Sequence, residues 1–400
     1  MIPLKQEDKI LQGFYQSIIS LLFNLGGMLA GTFLALNLDL LSTAPWAIVL
    51  FPCVLSVRGA IGGLFSGRLS TGLHLGTIKT SYTKNTRAFY ALFSSVITLT
   101  LISCILMSCF TFLAQGLLDG YSAIDYIDIL IVTTGTMGLS LIFLSPITVG
   151  VSFLSFKRGL NPDVMTYPIT STTADIIVTL CYLSLLQLFF SNGLGRCIVE
   201  IIDIVFVVSV LFFVSRDYTS KEFMSTIREF LLTLLIITVI VNITGFILGG
   251  IKELIGDRPE IYIIYPALID TIGDVGSIIG STATTKLFMG VIQARLSSVK
   301  DHLTEIFSAW AASLVMFILY FLIVLLLKET FFNFNAISFL LKILATNLIA
   351  ISFMILGVYL TAVLTFKRAW NPDNFVIPIE SSIADAITTF SLLISLKTLP

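Results

Sequence analysis

Two aspartates stand where an acidic side chain is least expected. Pro168, Ser171, Asp175 and Thr179 recur at i, i+3, i+7 and i+11, which puts them on one stripe of a helix. Pro378, Ser381, Asp385 and Thr389 repeat that stripe near the end of the chain, inside an equally apolar run. A charge at the centre of a bilayer costs roughly 3 kcal/mol or more. A chain that bears this cost twice, at matching positions, is using the carboxylates. Carboxylates flanked by hydroxyls suit a hard cation: Mg²⁺ takes oxygen ligands and keeps much of its water shell. A soft metal would need Cys, His or Met on the stripe. Asp175 and Asp385 are therefore the expected ion ligands, with Ser171, Thr172, Ser381 and Ser382 as the hydroxyls beside them.

The elements that hold this stripe have to be transmembrane helices. Of the 400 residues 56% are hydrophobic and only 12% charged, with a mean hydropathy of +0.99, whereas a soluble domain carries about 25% charged residues. The bilayer is thus the main partner of this surface, and a net charge of −1 excludes a nucleic-acid binder acting through a basic face. Five cysteines without metal or redox spacing read as packing residues, Cys197 being left open. Runs of about 20 apolar residues predict eleven spans, near 14–36, 46–78, 88–115, 128–156, 166–190, 198–215, 229–250, 261–294, 303–327, 336–366 and 375–396. The polar stretch 1–13 reads as a cytoplasmic lead-in and not a cleaved signal. Lys5, Lys9, Lys79, Lys84, Arg87, Lys157, Arg158, Arg216, Lys221, Arg228, Arg295, Lys300, Lys367 and Arg368 fall on one side of these spans. Against them stand Arg196, Lys252, Arg258, Lys328 and Lys397. The bias places the N-terminus inside and the C-terminus outside, in a multi-pass cell-membrane protein.

The chain is a tandem duplication. Phe156-Lys157-Arg158, Asn161-Pro162-Asp163, Pro168 and Ala174-Asp175 recur at a constant offset of 210, and Pro52, Gly59, Gly62 and Gly76 recur at 214 as Pro266, Gly273, Gly276 and Gly290. Five spans per half would invert the second copy, and the extra span near 198–215 restores parity. The expected architecture is all-α: a repeat over 1–190, a linker with an extra helix over 191–219 and a second repeat over 220–400. The repeats are then parallel, related by a pseudo-two-fold axis along the membrane normal that carries the pore. One chain already holds both halves of a pore, so the expected functional unit is a monomer.

The second span of each half is overlong and rich in proline and glycine, which predicts a broken, pore-lining helix. Backbone carbonyls at Gly59 and Gly273 join the expected ligand set. Three positions differ between the copies: Ser56, Ala60 and Thr170 in the first become Asp270, Asp274 and Glu380 in the second. Arg58 is the expected partner of Asp270 or Asp274. The remaining acids are candidates for a coupling-ion site, Na⁺ or H⁺. Asn161-Pro162-Asp163 and Asn371-Pro372-Asp373 read as turns with helix-capping acids, and His74 and His302 as interfacial residues.

Pro-Ile-Thr-Ser-Thr-Thr-Ala-Asp (168–175) and Pro-Ile-Glu-Ser-Ser-Ile-Ala-Asp (378–385) resemble the fifth-helix signature of the MgtE magnesium channels and their animal solute-carrier relatives. Lys157 to Asp163 and the second-helix segment 52–71 fit the same pattern, so the resemblance runs through both halves. It implies a divalent-cation transporter, most suited to Mg²⁺, with Asp175 and Asp385 matching the family's pore aspartate. It implies no organic cofactor and no enzymatic activity. Two departures stand out: the family's second-helix Gly-Asn is here Gly59-Ala60 and Gly273-Asp274, and thirteen residues before the first span leave no room for the bacterial sensor domains. A coupled Mg²⁺ exchanger is the alternative. The remoter rival, an intramembrane aspartyl protease, also needs two membrane aspartates, but Thr271-Ile272-Gly273-Asp274 lacks the first glycine of its Gly-x-Gly-Asp motif.

Overall fold

The computed structural model describes residues 6–27, 29–30, 33, 36–41, 43–119, 123–191, 193–237, 259–328 and 336–398. They fold into α1 (Gln6–Leu21), α2 (Pro45–His74), α3 (Arg87–Asp119), α4 (Ala123–Lys157), α5 (Pro162–Ser191) and α6 (Gly193–Asp217), followed by α7 (221–237), α8 (Pro259–Phe288), α9 (Leu303–Lys328), α10 (Ala336–Lys367) and α11 (Val376–Thr398). No strand occurs among the described residues. Seven helices among them are long and apolar enough to cross a membrane. The crossings expected near 46–78 and 261–294, now α2 and α8, are not among these seven, and those expected near 14–36 and 229–250 include residues outside the described ones.

Helix ends repeat between the halves as the sequence offsets do. Just past α2 and α8, Gly76 and Gly290 take φ of 71° and 70°, the left-handed conformation that closes a helix C-terminus. Gly159 does the same past α4 at φ 72°, but its counterpart past α10 is Ala369, at φ 57°. The closing hydrogen bonds match as well: Leu160 N to Ser155 O at 2.9 Å and Trp370 N to Thr365 O at 3.0 Å.

Helices α2 and α8 form the centre, each packing against both α5 and α11. Around them lie two apolar cores, one built mainly from α2 to α6 and the other from α8 to α11. Helix α1 does not join the core of its own half. It lies along α9, Leu21 belongs to the second core, and Ser308 Oγ donates to Ile10 O at 3.0 Å. Helix α6 packs on α3, α4 and α5 and leaves Ile204, Val205, Val208, Leu211 and Phe212 exposed, a face fitted to lipid.

Two expectations change. The second helices are not broken: α2 and α8 each run through 30 residues as continuous α-helix. Their glycines serve close packing instead. A Cβ on Gly63 would lie 2.7 Å from Ile377 Cγ2, and one on Gly280 would lie 2.3 Å from Val376 Cγ1. The irregular backbone falls in the first element. It starts at Gln6, well before the expected lead-in ends, and passes at Leu22–Gly26 into a 3₁₀ segment around the buried Asn24. The early start is physically reasonable: Asp8 sits in the first turn, at the positive end of the helix dipole. Gln16, Ser17 and Ser20 are turned into the protein.

Candidate functional site: an acidic cavity between the halves

Helices α2, α5, α8 and α11 enclose a cavity of about 350 Å³. Its walls come from equivalent positions. Leu55, Ser56 and Gly59 of α2 face Ile269, Asp270 and Gly273 of α8, while Ser171, Ala174 and Asp175 of α5 face Ser381, Ala384 and Asp385 of α11. Asp274, Glu380, Arg58, Tyr167 and Thr179 complete the polar lining, and Gly27 adds backbone. Nine of the expected ligands thus share one cavity: Asp175, Asp385, Ser171, Ser381, Gly59, Gly273, Asp270, Asp274 and Glu380. Thr172 and Ser382 lie off its wall. One residue past the stripe turns a side chain about 100° around the helix, so Thr172 bonds Asn24 Oδ1 at 3.1 Å and Ser382 bonds Pro378 O at 3.0 Å.

The acids of the second half are held tightly. Ser171 Oγ donates to Asp274 Oδ1 at 3.2 Å, a contact from one half to the other. Asp274 Oδ2 and both carboxylate oxygens of Glu380 are buried and have no hydrogen-bond partner among the described residues. Gly273 and Gly276 make room for Glu380, whose Oε1 and Cγ would stand 3.1 and 2.6 Å from a Cβ at those positions. Gly27 does the same for Asp270, whose Oδ2 would be 2.8 Å from its Cβ. Arg58 forms no ion pair among the described residues, and its Nε is buried without a partner. The expected pairing with Asp270 or Asp274 is therefore absent, and the guanidinium shares the cavity with Asp175, Asp270, Asp274, Glu380 and Asp385 without a direct ion pair.

Sequence reasoning passed over Asn24, Gly27 and Tyr167. Asn24 Nδ2 reaches Thr271 Oγ1 at 3.4 Å and its Oδ1 accepts from Thr172, so this amide ties the broken first element to α5 and α8. An amide inside an apolar run was the available signal, since a buried amide needs partners. Tyr167 carried none, because its counterpart in the second half is Ile377.

No group of three or more His, Cys, Asp or Glu side chains among the described residues is close enough to hold a metal directly. The cavity lining contains no Cys, His or Met. What the walls offer is carboxylates and hydroxyls spaced around a space that accepts water. A water occupies roughly 30 Å³ of liquid, so a six-water shell of about 180 Å³ fits within it.

A bundle of apolar helices enclosing an acidic cavity between duplicated elements is a polytopic membrane protein with a polar interior suited to cations. The family model MgtE, divalent cation transporter, matches residues 51–185 and 265–395, one segment in each half. The chain belongs to the MgtE family of divalent cation transporters. That is a family of transporters and not of enzymes, which leaves the protease rival without support. No curated protein and no solved structure matches the chain.

Proposed function

We propose that the cavity carries Mg²⁺ across the membrane, with Asp175 and Asp385 gripping the ion from opposite sides of a pseudo-two-fold axis. The convergence of both fifth-helix aspartates and their serines on one water-sized space supports this reading. That no three acids among the described residues stand close enough to hold a metal directly favours a hydrated ion held through its shell, as the reluctance of Mg²⁺ to lose water requires.

The axis itself is supported by a self-contact. Thr71 Oγ1 and Thr285 Oγ1, equivalent at offset 214, meet at 3.3 Å. The flanks agree: Gln16 Oε1 accepts from Asn161 N at 2.8 Å, and Glu229 Oε2 accepts from Asn371 N at 3.1 Å. On this reading the repeats are parallel, the chain crosses eleven times with the N-terminus inside, and the monomer is the transport unit. A divalent ion entering an inside-negative cell gains about 4.6 kcal/mol per 100 mV, so uptake needs no second ion.

The orphaned oxygens of Asp274 and Glu380 favour a second reading, in which they bind Na⁺ or H⁺ as a coupling ion. Divalent flux into proteoliposomes tests both. Asp175→Asn and Asp385→Asn must each lower Mg²⁺ flux, and wild-type flux in both would end the assignment. An imposed Na⁺ or H⁺ gradient alters flux at clamped potential only if coupling exists, and Asp274→Asn then abolishes that response.

A further inference from the structure

The motif acids Asp163 and Asp373 were expected to cap helices, and they do not. Asn161 and Asn371 do the capping: their Oδ1 atoms accept from Asp163 N and Asp373 N, both at 3.0 Å. The aspartate side chains are thereby released inward, and only 2% and 1% of each residue remains exposed. Both lie beside the Thr71–Thr285 self-contact. Asp163 accepts from Ser70 of α2 and from Ser281 and Thr285 of α8, the last two at 2.8 and 3.0 Å. His74 Nε2 stands 3.5 Å from its other oxygen. Asp373 packs on Gly67 of α2, where a Cβ would meet its Oδ1 at 3.5 Å. Neither of its carboxylate oxygens has a hydrogen-bond partner among the described residues. The guanidinium of Arg68 lies near enough to offset part of the Asp373 charge without a direct ion pair, while its Nη1 donates to Asn374 Oδ1 at 3.3 Å.

A carboxylate with both oxygens buried and unpartnered is costly unless something compensates it. Here two acids from equivalent positions share one point on the axis with four hydroxyls. Asp163 lies twelve residues before Asp175 on α5, about 18 Å along the helix. Its neighbour His74 lines a separate cavity of about 490 Å³ with Lys9, Asn161 and Glu305 at the same end of the protein. We infer that Asp163 and Asp373, with Ser70, Thr71, Ser281 and Thr285, form a second divalent-cation site between the acidic cavity and that outer pocket. In the structure described, hydroxyl protons satisfy Asp163. On binding, these hydroxyls rotate, so that their oxygens face the ion or its water. The same bonds stitch α2 to α8 across the axis when no ion is there, which makes the site a closure as well as a station.

The inference rests on the reading that the axis carries a divalent cation, and one experiment separates the two. Bound Mn²⁺ is counted by electron paramagnetic resonance on the full chain in nanodiscs. The wild type is compared with an Asp163→Asn/Asp373→Asn double variant and an Asp175→Asn/Asp385→Asn double variant. The expected result is that each double variant loses one Mn²⁺ equivalent and keeps the other. Wild-type Mn²⁺ binding in Asp163→Asn/Asp373→Asn overturns the second site whatever the cavity does, and complete loss of Mn²⁺ from the cavity variant also overturns it. Wild-type binding in the cavity variant, with loss in the other, refutes the cavity and leaves the second site standing. Should Asp163→Asn/Asp373→Asn fail to fold, Ser281→Ala/Thr285→Ala replaces it. That variant keeps the charges and removes two oxygens, and at least a tenfold weaker affinity for one Mn²⁺ equivalent is expected, unchanged affinity being the refuting result.

Discussion

Gly63→Ala places one methyl group at a close approach between the halves. That Cβ would lie 2.7 Å from Ile377 Cγ2, 3.1 Å from its Cβ and 3.3 Å from its backbone carbon. Ordinary carbon contacts are near 3.5–4.0 Å, so α2 and α11 must separate by roughly 1 Å. Overpacking of this kind costs about 1–3 kcal/mol. Alanine returns up to about 1 kcal/mol through its better helix propensity. The net expectation is a loss of roughly 0–3 kcal/mol, with a larger effect on transport, because α11 carries Ser381 and Asp385 only one and two turns further on. Ile377→Ala removes the colliding methyl but opens a cavity, at about 2–5 kcal/mol. In the double variant the new methyl partly fills the space that the isoleucine vacates. The two changes should therefore couple favourably by about 1–2 kcal/mol, well outside the additivity limit of roughly 0.5 kcal/mol for independent sites. Thermal unfolding of the four proteins in detergent measures the cycle, and Mg²⁺ flux follows in parallel. Additive losses would refute the claim that these glycines exist for close packing.

Asp175→Asn and Asp385→Asn should each reduce Mg²⁺ flux at least tenfold while unfolding within a few degrees of wild type; a matching loss of stability would make the effect structural. A divalent ion about 10 Å from Arg58 feels roughly 0.8 kcal/mol of repulsion even at the dielectric of water. Arg58→Gln should therefore tighten Mn²⁺ binding about fourfold or more, and weaker binding would mean that the guanidinium supports the site. Ala369→Gly should stabilise the protein by about 0.5–1 kcal/mol, since a left-handed conformation strains an L-residue, and Gly159→Ala should destabilise it similarly. Unfolding midpoints of both variants check the pair.

Much of the site was legible because its signals were expensive. Aspartates in apolar runs, repeated at a fixed offset, have few explanations in a bilayer, and Asp175 and Asp385 do line one cavity. Glycine was harder to read. It breaks helices and also lets them touch, and only the position of Ile377 against Gly63 and Gly67 tells the two uses apart. The Asn-Pro-Asp turns misled for a related reason: either polar side chain can cap, and the choice decides where the other points. That Arg58 would make no ion pair could not be read from composition at all, because proximity of charge along the chain does not specify rotamer or depth.

The docking of α1 on α9 has a consequence for biogenesis. Ile10 and Ser308 are joined by a hydrogen bond although 298 positions separate them in the chain. At synthesis rates of about 5–20 residues per second, the first helix waits roughly 15–60 s before its partner is made. Asn161 and Thr172, the first-half partners of Gln16 and Asn24, are made about midway through that interval, and until then these side chains have no protein to face. The nascent N-terminal segment must be sheltered at the insertion machinery or rest shallowly at the lipid surface. Its final placement then becomes a late step that locks the two halves together.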